Sequence, residues 1–413
     1  MGMPVHDFRT RIVFFVLLFR HCALSRKELG YGQTKEQGRK VPDVICAAPV
    51  KWQVGPSASA PVLFAPQTEG LCPVCLIPSV RCALDCTAGA IIRCVFHSKT
   101  TVSLCNTIMT PKIALITGGA SGMGLAVAKS LAAQGSWHVH LLDIHPDRGN
   151  EAAIGLHPHA TFHKVDVSSY SDLAAVFQRV FQRHRRLDFV FANAGIIERA
   201  NFFENLPQQN TKQVPPEPKD LRVIGVNLNG VVFTSYLAMH YFRRSPDKGR
   251  GCNLVMTASC GGLYPSHYSP LYTATKHGVV GLMRSIATQL WQNDGIRVNA
   301  ICPGIAQTDL VDAQGWASFP PHLFIPLETI ARIVLMLIRA DDGGTDHGMT
   351  DATGTFIPAA QGYGRAVEIS GDKFYFREAP EFCDEGMQAI MAATVLENQV
   401  GGVLNGTSRT SKL

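Results

Sequence analysis

The stretch Lys112-Ile-Ala-Leu-Ile-Thr-Gly-Gly-Ala-Ser-Gly-Met-Gly124 decides the fold of this chain. Ile113 to Ile116 is a short apolar run that reads as a strand, and Met123 to Gln134 reads as a helix. Between them Gly118, Gly122 and Gly124, with Ser121 and Met123, permit a tight turn and close approach of backbone to a pyrophosphate. Such a group would rest on the free N–H groups at the helix start. A glycine cluster alone is weak, because glycines also simply end strands. Asp143 adds context: it closes the second strand 19 residues beyond Gly124, where an acid can hydrogen-bond ribose hydroxyls. The same carboxylate would repel a 2′-phosphate, which favours NAD over NADP.

Outward from this stretch, strands alternate with helices: His138 to Leu142 and Thr161 to Val165 as strands, Ser171 to Arg183 as a helix, Phe189 to Phe191 as a strand. Glu217 to Arg244 reads as one long helix, Asn253 to Ala258 as a strand, and the segment containing Tyr272 as a helix to about Asn293. Alternation of this kind implies βαβ units. The expected architecture is α/β, a doubly wound Rossmann fold whose parallel sheet of about seven strands carries helices on both faces.

Tyr272-Thr-Ala-Thr-Lys276 places a phenol and an ammonium on one helical face. A fixed positive charge beside a tyrosine stabilises the phenolate and draws its pKa toward the working range. Thr117-Gly118-x-x-x-Gly122-x-Gly124, Asn193-Ala194-Gly195, Asn227, Ser259 thirteen residues before Tyr272, Lys276, and Pro303-Gly304 with Thr308 follow in order. Together they resemble the short-chain dehydrogenase/reductase family over roughly residues 112 to 371, most nearly its NAD-dependent 15-hydroxyprostaglandin dehydrogenase-like branch. The resemblance implies Tyr272 as general base for alcohol oxidation and acid in reverse, and Lys276 lowering its pKa and holding the nicotinamide ribose. It implies Ser259 bonded to the reacting oxygen and Asn227 ordering a helix and a proton relay. On the cofactor side it implies the loop Gly118, Ser121, Gly122, Met123, Gly124 and Asp143, then Asp166 and Val167 at the adenine. Asn193, Ala194 and Gly195 would support the adenosine, and Pro303, Ile305 and Thr308 the nicotinamide end. A small-molecule alcohol or ketone, expected to be apolar, is the implied substrate, and the family's habit points to a homodimer or homotetramer.

The remaining signals are weaker. His138, His140, His145, His157, His159 and His163 crowd one stretch, but no carboxylate or cysteine accompanies them at ligand spacing, so packed or surface histidines are expected and no metal. Asp341, Asp342, Asp346, His347 and Asp351 read as a hydrophilic loop, and Cys260 as a small buried thiol. Glu198 to Lys219 and Gly343 to Gly364 are longer than plain connections and lie where loops frame a substrate.

The net charge of +6 divides unevenly. Residues 1 to 108 hold 12 Lys and Arg against 6 Asp and Glu, and the rest hold 26 against 26. Eight of twelve cysteines also precede Met109. Cys72 and Cys75 with Cys82 and Cys86 imitate a zinc knuckle, but only six residues separate the pairs, which favours unpaired thiols in a poorly ordered segment. The expected organisation is therefore an extension at 1–108, an enzyme domain at 109–395 beginning near Met109, and a tail at 396–413. The extension is read as dispensable or as an incorrectly joined translation. At 46% hydrophobic and 17% charged residues, whole-chain disorder is excluded. The longest apolar run, Ile12 to Phe19, falls short of the ~20 residues of a membrane span. With the charge confined to the extension, nothing in the composition argues for nucleic acid. Ser411-Lys412-Leu413 reads as a peroxisomal import address, recognised by its receptor. Two alternatives stay open: an NADPH-type ketone reductase of a secondary-metabolite pathway, and a non-catalytic nucleotide-sensing relative.

Overall fold

The computed structural model describes residues 110–204, 217–311, 313–317, 319–344 and 347–394, together with four short strands upstream. Met109, the Cys72 and Cys75 pair, Cys86, Asp346 and Ser411-Lys412-Leu413 lie outside the described residues, as does 205–216 of the long loop. Two compact units divide at Thr107 and Ile108. In the first, Gln53–Val54 pairs antiparallel with Leu63–Phe64, and Val80–Asp85 with Ile91–Phe96.

The second unit is built on an eight-stranded sheet: β1 (Lys112–Thr117), β2 (Trp137–Asp143), β3 (Ala160–Lys164), β4 (Phe189–Ala192), β5 (Asn253–Thr257), β6 (Arg297–Pro303), β7 (Ala366–Ser370) and β8 (Lys373–Arg377). Their spatial order is β3-β2-β1-β4-β5-β6-β7-β8. All neighbours are parallel except β7 and β8, an antiparallel hairpin that adds one strand to the seven expected. Along β1 the burial is continuous, as both-face coverage requires. Ile113 and Leu115 face one core with Leu173, Phe177, Phe242 and Val279, while Ala114 and Ile116 face the other with Val127, Leu131, Ile330 and Val334. Each Ile, Leu, Val or Phe among them, fully buried, is worth about 1.5–3 kcal/mol.

The helices are α1 (Gly122–Ala132), α2 (Pro146–Gly155), α3 (Tyr170–His184), α4 (Gly230–Arg244), α5 (Pro270–Asp294), α6 (Leu327–Arg339) and α7 (Glu385–Ala393). The helix α2 is unanticipated by the sequence reading; Pro146 at its first turn starts it. The helix expected from Glu217 begins only at Arg222 and passes through a π-helical turn, Gly225–Asn229, before α4. The late start has a cause. Asp220 adopts φ 64°, and its carboxylate accepts from the amides of Arg199 (2.7 Å) and Ala200 (2.6 Å), a local bonding that competes with the helix.

Two helical runs, Arg222–Arg244 and Pro321–Arg339, are long and apolar enough to cross a membrane by length and composition alone. In the second, Ile330, Ile333, Val334 and Leu337 are buried in the core beneath the sheet, which accounts for that apolarity. The stretch expected as a hydrophilic loop around Asp351 instead contains a ribbon, Gly348–Thr350 paired with Phe356–Pro358. Asp351 is buried within it and accepts from the amides of Thr353, Thr355 and Phe376 and from the Thr353 hydroxyl, bonds that hold its carboxyl below the usual range despite burial.

Candidate active site

β1 is followed by β2 on one side and flanked by β4 on the other, so the strand order reverses at its C-terminal end and opens a crevice there. The glycine-rich turn fills one wall. Gly118 and Gly122 sit at φ 64° and 51°, the left-handed region that a side chain rarely tolerates. At Gly124 a Cβ would lie 2.2 Å from the Gly118 carbonyl oxygen, so only glycine lets α1 start flush against the turn. Ser121 caps α1 without a side-chain hydrogen bond, and no acidic residue occupies the first turn. The helix start therefore presents amides that no capping side chain claims, beside Met123, as an anionic pyrophosphate requires.

Across the turn, a Cβ on Gly122 would meet Thr308 Cγ2 at 3.0 Å, so the segment after β6 closes on the loop. Thr308 accepts from the Leu310 amide at Oγ1 (3.3 Å) and from Trp316 Nε1 at its carbonyl (2.9 Å). Pro303 ends β6, and the Ile305 carbonyl accepts from the Ile325 amide at 2.7 Å. Asp143, at the end of β2, accepts from the amides of Ala120 (3.2 Å) and His145 (3.1 Å), which aims the carboxylate at the turn. These residues fit a dinucleotide.

Three expected contacts are differently employed. The Asn193 side chain donates to the carbonyls of Thr117 and Gly118 and accepts from Thr257 Oγ1 at 3.1 Å, which ties β1, β4 and β5 together. The amides of Asn193 and Ala194 both donate to Thr117 Oγ1. Only the backbone carbonyls at Asn193 and Ala194 therefore remain for a nucleotide, and Thr117 is a brace whose role its place in the motif did not reveal. Asp166 turns back onto Ser168, accepting from its amide (2.9 Å) and hydroxyl (2.7 Å), bonds that hold its carboxyl below the usual range. Val167 is buried over Gly230 in the core.

The residues expected to react gather beyond the ends of β4 and β5. Asn227, fully buried in the π turn, accepts from the Ile196 amide and donates to the Ile196 carbonyl, both at 2.8 Å. Gly195 packs above it: a Cβ there would stand 3.4 Å from Asn227 Oδ1 and 3.5 Å from Lys276 Nζ. Ser259 follows β5, its Oγ accepting from the Gly261 amide at 3.1 Å. Beside it Cys260 is partly exposed, not buried as expected. Tyr272 and Lys276 share one face of α5, Nζ lying 5.4 Å from the tyrosine ring centre.

The electrostatics differ from the expectation that the ammonium draws the phenol down. Burial pushes Tyr272 up to about 12, opposed by the Ser259 hydroxyl, and burial pushes Lys276 down to about 8. The ammonium stays beside the ring while its Nζ donates to the Thr257 carbonyl at 2.8 Å, and burial outweighs its pull on the phenol. At neutral pH Lys276 still carries its proton.

Glu198 escaped the sequence reading. Its carboxylate is 7% exposed and accepts from the amides of Leu271 (3.2 Å) and Tyr272 (2.5 Å), so a side chain from the loop after β4 caps the helix that carries the tyrosine. Ser269, at the cap position, makes no side-chain bond there. No local spacing could reveal a partner 74 residues away. Removing a cap costs about 0.5–2 kcal/mol. Glu198→Ala is expected to lower Tm by several degrees and kcat about tenfold by loosening Tyr272. Unchanged kcat and Tm would show that α5 holds itself.

Comparison with known proteins places this geometry. Residues 112–316 match the family model described as short chain dehydrogenase. Short-chain dehydrogenase/reductase prx7 of Penicillium rubens is 60% identical over 288 residues, 69% of this chain and 100% of that protein. The chain belongs to the short-chain dehydrogenase/reductase family. It is an oxidoreductase by that membership. The NAD(+)-dependent 15-hydroxyprostaglandin dehydrogenase of Homo sapiens is 32% identical over 208 residues, 49% of this chain and 71% of that one. Among solved structures, a 3-ketoacyl-(acyl-carrier-protein) reductase from Brucella melitensis complexed with NADH matches with TM-score 0.50 and 26% identity, covering 63% of this chain and 97% of that chain. The family's relatives thus include NAD-dependent members, in agreement with the dinucleotide fit of the crevice.

Proposed function

We propose that this short-chain dehydrogenase/reductase interconverts a secondary alcohol and a ketone with NAD. NAD, when bound, accepts the hydride from the carbinol carbon. The protein's part is the proton and the geometry. Tyr272 takes the hydroxyl proton as the C=O bond forms and returns it in the reverse direction. Ser259 donates to the same oxygen, and Lys276 supplies positive charge beneath the phenol. Asn227 holds the π turn and the Ile196 backbone against this cluster. The observation that carries the reading is the meeting of Ser259, Tyr272 and Lys276, the Ser259 hydroxyl bonded to the phenol and Nζ 5.4 Å from its ring, on the sheet that carries the glycine turn.

An apolar substrate is supported by exposed aromatic rings on the loops that follow β4 and β5, namely Phe202, Phe203, Tyr264 and Tyr268. The test is NADH formation by the full chain across secondary alcohols, including hydroxy fatty acids and 3-hydroxyacyl thioesters. Turnover of at least one supports the proposal; none, with NAD bound, favours a nucleotide sensor. Preference for NAD rests on Asp143. Asp143→Ala is expected to improve kcat/KM with NADP relative to NAD by about 10- to 100-fold, since like-charge contacts cost several kcal/mol. An unchanged ratio would assign the preference elsewhere, and NADP preference in the unaltered chain would support the reductase reading. A homodimer or homotetramer is supported by Val232 and Tyr236, exposed on α4, and sedimentation would read it. Import through Ser411-Lys412-Leu413 belongs to the same proposal: a fluorescent protein fused after Leu413 should abolish punctate localisation, and unchanged puncta would refute it.

A further inference from the structure

Four histidines meet on the sheet away from Tyr272. His138 and His140 are two residues apart on β2 and so share a face. β3 pairs in register with His163 beside Leu142, on that same face, and α3 ends above it at His184. The residues His138, His140 and His184 offer ring nitrogens that all lie within 4.8 Å of one another. His140 Nε2 and His184 Nε2 are 3.1 Å apart. Ligand atoms bonded at about 2.0–2.1 Å to a tetrahedral ion stand about 3.3–3.4 Å from each other, so a small opening of this pair admits one.

The other nitrogen of His140 is also engaged: Nδ1 lies 2.9 Å from His163 Nε2. An Nδ1–H donated there leaves Nε2 with its lone pair toward His184, the arrangement in which an outer partner fixes the tautomer of a ligating imidazole. His138 also hydrogen-bonds the Pro158 backbone, and its Nε2 lies 2.9 Å from Thr161 Oγ1, a bond that ligation through Nε2 would replace. His140 is buried, so the cluster is held by the fold and not by chance encounter of surface chains.

We infer that His138, His140 and His184 bind one divalent transition-metal ion, with His163 orienting His140. Three neutral imidazoles without a carboxylate suit borderline ions such as Zn²⁺, Ni²⁺ or Cu²⁺ and not Mg²⁺ or Ca²⁺. The positive charge of Arg183 acts on His138, His140 and His163, and that of Arg179 on His163; it keeps the imidazoles neutral, as ligands must be, and sets the repulsion that binding has to exceed. The ion would clip the end of α3 to the β2 and β3 edge of the sheet, outside the crevice.

The test uses the full chain, stripped with a chelator and titrated with Zn²⁺ alone by calorimetry and by thermal unfolding. The expected result is one ion bound at the cluster and a rise in Tm of about 3 °C or more at saturating metal. His184→Ala should abolish both, as should His184→Asn, which keeps a polar side chain at the half-buried helix end. His157→Ala, at an exposed neighbour, should keep them. Absence of uptake overturns the site, and so does an uptake and Tm shift that both His184 variants retain, which would assign the zinc to other residues such as the upstream cysteines.

Discussion

Tyr272→Phe is expected to lower kcat/KM for alcohol oxidation by about 10²- to 10⁴-fold, the usual contribution of a positioned general acid or base. The fold should survive, because the ring remains on α5 and only the hydroxyl is lost; Tm should stay within about 2 °C. NAD affinity should change little, since the glycine turn and Asp143 are untouched. The unaltered enzyme should also show a direction-dependent pH profile. Tyr272 is pushed up to about 12, so its base form is scarce at neutral pH and grows about tenfold per unit as pH rises. Oxidation should therefore accelerate as pH rises from about 7, and climb less steeply above about 8, where Lys276 gives up its proton and its charge. Ketone reduction needs the protonated phenol, which is already abundant, and should be nearly flat over the same range. Loss of less than tenfold in Tyr272→Phe, or oxidation that falls with pH, would remove Tyr272 from the proton transfer.

Gly124→Ala tests the other wall of the crevice. The added Cβ would stand 2.2 Å from the Gly118 carbonyl oxygen and 2.9 Å from Asn193 Nδ2, and neither is the loose end of a flexible chain. The Asn193 amide already bonds the Thr117 and Gly118 carbonyls, so yielding there would break the brace across β1, β4 and β5. Overpacking of this kind costs about 3 kcal/mol or more, which is about 6–12 °C in Tm for a domain of this size. Dinucleotide affinity should fall at least tenfold, because α1 must back away from the turn. Titration of NAD fluorescence quenching and a thermal melt measure the two effects. Wild-type affinity and Tm together would show that α1 has room to shift.

The α/β architecture and most of the reacting set are legible in the linear text because their causes are local. Ile113 to Ile116, the glycines to Gly124 and Asp143 lie within one βαβ unit, and Tyr272 and Lys276 are one helical turn apart. Periodicity and short spacings carry that information. What depends on distant partners could not be read. Glu198 caps α5 from 74 residues away, Asn193 is a brace because Thr117 and Thr257 flank it in the sheet, and the helix start at Arg222 is set by Asp220 reaching the Arg199 and Ala200 amides. The histidines divide along the same line: the alternation of His138 and His140 is visible in the sequence, while only the packing of α3 brings His184 to 3.1 Å from His140. The same holds for the ionisation of Tyr272 and Lys276. Residue types and an i,i+4 spacing name a base and its neighbouring charge. Their pKa values depend on burial, and for Tyr272 on the Ser259 hydroxyl beside it, and both are properties of the assembled core.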